Sequence, residues 1–144
     1  MTVSVPASTE IETSSAKPIS ILVYSDNARV RAEVREDLGD TLGAPAQPIE
    51  WTEVATHEMA MLLCHESTFD LVIMDNEANR LGGVGLTTQM RNELDWQPTV
   101  LLLLARQQDA WLGAWSGADA ALLQPIDPVK LAATVAELVG LPQG

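Results

Sequence analysis

Two patterns of hydrophobic and polar positions alternate along this chain. Five segments are continuously apolar or alternate between apolar and polar residues, and these predict strands over 19–24, 49–56, 69–75, 98–105 and 119–124. Between and after them, apolar residues recur every three or four positions, which predicts helices over 28–39, 57–67, 86–95, 107–117 and 127–140. Strands that alternate with helices in this way predict an α/β fold, in which a five-stranded parallel sheet carries helices on both faces.

Residues at the segment boundaries support this division. Gly39 is expected to end the first helix. Asp127 is a preferred N-cap residue and Pro128 suits a first helical position, so the last helix should begin there. Segments 40–48 and 76–85 contain several Gly, Pro or Asn residues and are predicted as loops.

The first residues differ in composition from the rest of the chain. Residues 1–17 are rich in Ser, Thr and Glu and have no periodic apolar face, so we expect a disordered polar tail. A chain of 144 residues with 47% apolar content can bury one sizeable core. We therefore expect one domain over 18–144.

The charge of the chain limits its partners. Its 20 acidic and 8 basic residues give a net charge of −12, which repels the phosphates of nucleic acids and the surface of an anionic membrane. No stretch is apolar and long enough to span a bilayer, and the N-terminus has no signal-peptide pattern. We expect a cytoplasmic protein whose partners are other proteins, with neither nucleic-acid binding nor membrane insertion.

Other reactive or charged residues give weak signals. Cys64 lies in an apolar run and is expected to pack in the core, and His57 and His65 have no companion residues spaced like metal ligands. The glycines of 81–85 lack the spacing of a phosphate-binding loop, so a flexible loop is expected there. Interleaved charges on the first predicted helix indicate a solvated face without a function: Arg29, Arg31, Glu33, Arg35 and Glu36.

In open parallel sheets, binding sites form beyond the carboxyl ends of the strands. The residues expected there are Ser25, Asp26, Asp75, Leu104, Ala105 and Gln124. Two like charges, Asp26 and Asp75, would meet in one crevice and need a cation, a proton or water to compensate them. A hard divalent ion such as Mg²⁺ is one candidate.

Three segments together resemble the receiver domain of bacterial two-component response regulators over about residues 18 to 140. They are ILVYSDN, DLVIMD with a glycine eight residues later at Gly83, and GADAALLQPIDPVKLAATV. This resemblance implies a flavodoxin-like (βα)5 fold. It also implies a site in which an aspartate at the end of the third strand accepts a phosphoryl group from a histidine kinase, aided by Mg²⁺.

The resemblance assigns roles to the residues around the third strand. Asp75 takes the phosphoacceptor position, and the acidic pair after the first strand becomes Ser25 and Asp26, so one of its two carboxylates remains. The backbone carbonyl of Glu77 falls where a third metal ligand is expected, which makes Asp26, Asp75 and Glu77 the candidate Mg²⁺ ligands.

Other positions depart from the family pattern. Leu104 replaces the hydroxyl residue and is followed by the usual small residue, Ala105; Ala121 replaces the switch aromatic; and Gln124 replaces the lysine. Neither Leu104 nor Gln124 can bind a phosphoryl group as the family residues do. We therefore expect an atypical, phosphorylation-independent receiver without enzymatic activity, while a weak phosphoacceptor and a simple structural carboxylate remain open for Asp75.

A narrower resemblance concerns VYSDN, EVAT, the glycine pair after the acceptor strand and DAWLGAWSGADA. These segments are similar to actinobacterial stand-alone receiver-like proteins associated with the proton-pumping NADH:quinone oxidoreductase. The similarity implies an adaptor that docks on this respiratory complex, at the inner face of the cell membrane through the complex itself.

Two tryptophans could supply a docking surface. Trp111 and Trp115 are four residues apart in the predicted helix 107–117 and therefore share one face. Tryptophan is enriched among residues that dominate the binding energy of interfaces. Contact with a partner and packing against the sheet are both open for this pair.

Two other functions compete with the adaptor. The first is a stand-alone response regulator, phosphorylated on Asp75 by a histidine kinase. The second is a flavodoxin-like cofactor binder, which the absence of a hydroxyl-rich loop after the first strand disfavours. We accordingly expect no cofactor, with Mg²⁺ as the weak exception.

Overall fold

The computed structural model describes residues 17–78, 82–109, 111 and 116–141, so the predicted tail lies outside the described residues apart from Lys17. The strands are β1 (Ile19–Tyr24), β2 (Thr41–Leu42), β3 (Gln47–Val54), β4 (Leu71–Asp75), β5 (Val100–Leu104) and β6 (Ala120–Leu123). The helices are α1 (Ala28–Leu38), α2 (His57–Glu66), α3 (Gly83–Glu93) and α4 (Pro128–Leu138), with a 3₁₀ turn at Gln107–Asp109.

Within the described residues, the strands form one sheet in the order β2-β3-β1-β4-β5-β6. The five strands β3, β1, β4, β5 and β6 are parallel, and in chain order their arrangement is the flavodoxin-like 2-1-3-4-5. The predicted parallel sheet is therefore confirmed. The short strand β2, which pairs antiparallel with β3, was missed because it lies inside the predicted loop 40–48.

The central strands are buried on both sides because helices cover both faces of the sheet. Every residue of β4 and β5 is buried, which explains why their sequences are continuous apolar runs. One face packs against α2 and α3 through Leu22, Val72, Met74 and Leu102. The other packs against α1 and α4 through Ile21, Val23, Ile73 and Leu101.

Two predicted helix boundaries, the start of α4 and the end of α1, hold where the chain has capping residues. The Asp127 carboxylate accepts hydrogen bonds from the backbone N–H groups of Val129 and Lys130, at 2.9 and 3.5 Å, and Pro128 is the first residue of α4. Gly39 ends α1 with a φ of 87°, a conformation that glycine adopts without strain. These local signals act within a few residues of each other, so the sequence reveals them.

Several predicted boundaries are wrong by two or three residues: β3 is Gln47–Val54 rather than 49–56, and β5 begins at Val100 rather than at residue 98. Helix α3 begins at Gly83 rather than at residue 86, so Gly83 to Gly85 are helical and not a flexible loop. Its first turn lies directly on the sheet, since a Cβ at Gly83 would come within 2.6 Å of Leu102 Cδ2. Strand β4 begins at Leu71 and not at Phe69.

The remaining sequence predictions concern single residues. Cys64 is a buried core thiol, as predicted, and its backbone carbonyl accepts a 2.7 Å hydrogen bond from the Trp96 indole. His65 is exposed and His57 is partly exposed.

Much of the predicted helix 107–117 lies outside the described residues. No helix in the described ranges has the length and apolar character that a membrane crossing requires.

Candidate functional site

A polar crevice opens at the carboxyl ends of β1 and β4, and Gln124, which follows β6, also lines it. Asp26, Asp75, Glu77 and Gln124 line a cavity of about 520 Å³. Strands β1 and β4 are neighbours in the sheet, so their carboxyl ends, and the residues that follow them, meet at one edge. The crevice thus brings together these residues as the sequence predicted.

The Asp75 carboxylate lies at the bottom of the crevice and is only 2% exposed. Its Oδ2 accepts a 2.7 Å hydrogen bond from the Ser25 hydroxyl. Its Oδ1 accepts hydrogen bonds from the backbone N–H of Glu77 at 2.8 Å and from the Gln124 amide at 3.4 Å. Protein donors therefore compensate a buried carboxylate that would otherwise be strongly destabilised.

Ser25 is fully buried and is fixed on three sides. Its hydroxyl oxygen accepts a 3.0 Å hydrogen bond from the backbone N–H of Asn27, while its own N–H donates to the carbonyl of Val54 at 3.2 Å. Its carbonyl accepts a hydrogen bond from the Arg31 guanidinium. These hydrogen bonds tie the loop after β1 to α1 and β3 beneath the crevice.

Arg31 connects this loop to the neighbouring strand β3. Its Nε donates a 3.0 Å hydrogen bond to Glu53, which also accepts one of 2.7 Å from Arg35. Hydrogen bonding from Arg35 is the largest cause that lowers the pKa of the Glu53 carboxyl, with Arg31 contributing in the same direction. The sequence analysis predicted a solvated helix face without a function and so missed the pairing of Arg31 with Glu53. Glu53 lies 22 residues after Arg31, beyond the reach of local patterns.

The negative charge of the crevice also acts on Tyr24, the last residue of β1. Burial, and then the nearby charges of Asp26, Glu58 and Asp75, raise the pKa of its phenol. The ring is buried beside the crevice, in the same core cluster as Met74 and Leu104. Tyr24 therefore remains neutral at neutral pH.

The side chains present fit a magnesium ion poorly. Among the described residues, no three acidic, histidine or cysteine side chains are grouped so that they could hold a metal. Three hydrogen bonds already use most of the roughly four lone-pair positions of the Asp75 carboxylate. The position after β1 that resembles a metal-ligand position in receivers is Ser25, whose hydroxyl donates to Asp75.

The other departures from the receiver pattern lie beside the crevice, at the ends of β5 and β6. Leu104 is buried, whereas Ala105 and Ala121 are exposed. Leu104, Ala121 and Gln124 contribute to a second cavity of about 520 Å³, and the backbone N–H of Gln124 donates to the Leu104 carbonyl at 2.8 Å. Leu104 and Ala121 offer no side-chain hydrogen-bond donor to an anion bound at Asp75.

The structure describes only one of the two tryptophans that were predicted to share a helix face. Trp111 is helical and 64% exposed, so packing against the sheet does not describe it. Trp115 lies outside the described residues. Of the pair, Trp111 is thus the residue whose side chain is known to be accessible to a partner.

Comparisons with known proteins give one consistent picture. No protein-family model matches the chain. Uncharacterized response regulatory proteins from two strains of Mycobacterium tuberculosis, CDC 1551 and H37Rv, are each 39% identical to it over 128 residues, which are 89% of this chain and 96% of theirs.

Solved structures with lower identity share the fold. A chemotaxis response regulator of Vibrio cholerae has a TM-score of 0.72 at 21% identity, over 85% of this chain and 99% of the other. The receiver domain of a sensor histidine kinase from Pseudomonas aeruginosa has a TM-score of 0.68 at 22% identity, over 86% and 99% respectively. That structure contains a magnesium ion coordinated in its active-site cleft.

Proposed function

Since the chain belongs to the receiver domains of response regulatory proteins, we propose that it is an adaptor that works without phosphorylation and docks on a larger protein assembly. It has the receiver fold and the aspartate at the phosphoacceptor position, but in this proposal the fold serves as a binding surface. The adaptor carries out no chemical reaction of its own.

The hydrogen bonding of Asp75 is the observation that carries this proposal. A phosphoryl group on Asp75 would bring about −1.5 to −2 charges into the crevice, and receivers compensate such charge with a lysine, a hydroxyl and a metal ion. Here Gln124 offers a neutral amide 3.4 Å from Oδ1, and the Ser25 hydroxyl is already bonded to Oδ2. An acyl phosphate would therefore be poorly stabilised.

We propose the NADH:quinone oxidoreductase as the assembly and Trp111 as part of the docking surface. The similarity of four short segments to actinobacterial receiver-like proteins associated with this complex supports the choice of partner. The 64% exposure of the Trp111 side chain supports the choice of surface, because tryptophan is among the residues that contribute most to binding energy. The protein would then be cytoplasmic and reach the membrane through its partner.

Affinity purification of the tagged protein from its own cells in mild detergent tests this function. We expect near-stoichiometric recovery of one large assembly, identified by mass spectrometry, with the wild type and with Asp75→Asn. Recovery should fall strongly with Trp111→Ala. Val129→Ala is the matched control, because Val129 is a 77% exposed apolar residue on α4 that the proposal does not use.

The alternative is a stand-alone response regulator that accepts a phosphoryl group on Asp75. It is favoured by one feature, which is that Asp26 and Asp75 both line the same cavity. Recovery of a histidine kinase instead of a large assembly, with loss of that recovery in Asp75→Asn, would replace the adaptor proposal by this one.

A further inference from the structure

We infer that the side chains of the crevice prevent divalent cations from binding there, and that Ser25 is the residue chiefly responsible. Ser25 supplies to Asp75 the compensation that a metal ion would supply. This inference concerns the chemistry of the crevice and does not depend on which partner the protein binds.

The direction of the Ser25 hydroxyl proton is fixed by its surroundings. Its oxygen accepts a 3.0 Å hydrogen bond from the backbone N–H of Asn27, so its own proton is free to point at Oδ2 of Asp75, 2.7 Å away. Both side chains are buried, which leaves the hydroxyl no competing water as acceptor. A cation that approached Oδ2 would have to displace this hydrogen bond.

The second carboxylate oxygen is also occupied. Oδ1 accepts hydrogen bonds from the backbone N–H of Glu77 and the amide of Gln124, at 2.8 and 3.4 Å. Mg²⁺ requires near-octahedral oxygen ligands at about 2.1 Å and releases its own water reluctantly. Asp75 keeps about one lone-pair position for such an ion. Asp26, an exposed carboxylate at the rim, is the other acidic side chain that remains from the acidic pair.

A protein cation also holds the loop below the crevice. The Arg31 guanidinium donates to the Ser25 carbonyl and, at 3.0 Å, to Glu53. Because Arg35 binds the same glutamate at 2.7 Å, two positive groups share one negative partner. Through Arg31, the backbone of Ser25 is tied to β3, which helps to keep the Ser25 hydroxyl in place against Asp75.

The test uses Ser25→Asp, which removes the hydroxyl donor and restores a second carboxylate after β1. Melting temperatures are measured after treatment with EDTA, in MgCl₂ and in NaCl of equal ionic strength, because either salt screens the self-repulsion of a chain of charge −12. The wild type should melt at the same temperature in both salts. In EDTA, Ser25→Asp should melt at a lower temperature than the wild type. Its melting temperature should then rise saturably with Mg²⁺ concentration, by about 3 °C or more.

Two controls make this result specific. Thr68→Asp adds the same charge at the exposed loop before β4, at the opposite edge of the sheet, and should not respond to Mg²⁺ beyond the NaCl control. Adding Asp26→Asn to Ser25→Asp should abolish the rise. If Ser25→Asp is unfolded in EDTA, recovery of its helical circular dichroism by MgCl₂ replaces the melting shift as the expected result, and no recovery contradicts the inference.

The inference is overturned if the wild type binds Mg²⁺ saturably and Asp26→Asn removes that binding. It is equally overturned if folded Ser25→Asp gains no Mg²⁺ response. Neither result affects the capture experiment with Asp75→Asn and Trp111→Ala, so a failure here is distinguishable from a failure of the adaptor proposal.

Discussion

The Ser25 hydroxyl donates a 2.7 Å hydrogen bond to Oδ2 of Asp75, fifty residues further along the chain. The two residues lie at the ends of neighbouring parallel strands, β1 and β4, so the bond joins the two loops that form the crevice. A residue at a position that resembles a metal-ligand position in receivers thus acts here as a hydrogen-bond donor.

Ser25→Ala should lower the free energy of unfolding by about 1 to 3 kcal/mol, because it removes a donor from a buried carboxylate. The measurement is urea denaturation at neutral pH. Thr88→Ala is the control, since it also removes a hydroxyl but from an exposed position on α3. A loss in Ser25→Ala no larger than in the control would mean that the bond to Asp75 contributes nothing to stability.

Acetyl phosphate with Mg²⁺ should leave the wild type without a phosphoryl adduct by intact mass. The combined variant Ser25→Asp, Leu104→Thr and Gln124→Lys restores three family positions and should gain one phosphoryl group. Adding Asp75→Asn to that variant should remove it, which locates the adduct. An adduct on the wild type that Asp75→Asn abolishes would contradict the proposal that the protein works without phosphorylation.

Trp111→Ala should change the free energy of unfolding by no more than about 0.5 kcal/mol, because the side chain is exposed and loses little packing. Trp96→Ala is the contrast. Its indole donates a 2.7 Å hydrogen bond to the Cys64 carbonyl and packs against the core, so this variant should be destabilised by about 3 kcal/mol or more. A large loss in Trp111→Ala would indicate a structural role and weaken its assignment to a docking surface.

Stability should fall as the pH rises above about 9, partly because of Cys64. Burial raises the pKa of its thiol to about 11, so the unfolded chain releases this proton before the folded protein does. The contribution is fully present below the ordinary thiol pKa and is lost as the pH rises to about 11, at no more than about 1.4 kcal/mol per pH unit. Urea denaturation of wild type and Cys64→Ala across this range checks it, and parallel slopes would refute it.

Gly83→Ala should destabilise the protein by about 1 to 3 kcal/mol through overpacking. The added Cβ would come within 2.6 Å of Leu102 Cδ2 and 3.0 Å of Met74 Cβ, where α3 contacts the sheet. Thr88→Ala on the same helix again serves as the control. Equal stability of Gly83→Ala and wild type would show that the helix can shift away from the strands without loss.

The sequence by itself determined the fold class. Continuous apolar runs such as those of β4 and β5 occur where both faces of a strand are buried, and local caps such as Asp127 and Gly39 set helix ends. These signals act over a few residues, so they can be recognised from the sequence alone. The sequence also identified Asp75 and Gln124 as members of one crevice, because parallel strands end at a common edge.

Only the tertiary structure decided which hydrogen bonds and ion pairs compensate the charges of the crevice and of the loop beneath it. The bond from Ser25 to Asp75 and the pairing of Arg31 with Glu53 join residues 50 and 22 positions apart, and no local pattern specifies them. The start of α3 at Gly83 was missed for the same reason, since glycine is a poor helix former and its place there follows from close contact with Leu102. Distances between side chains that meet only after folding depend on the packing of the whole sheet, and the order of residues along the chain does not contain them.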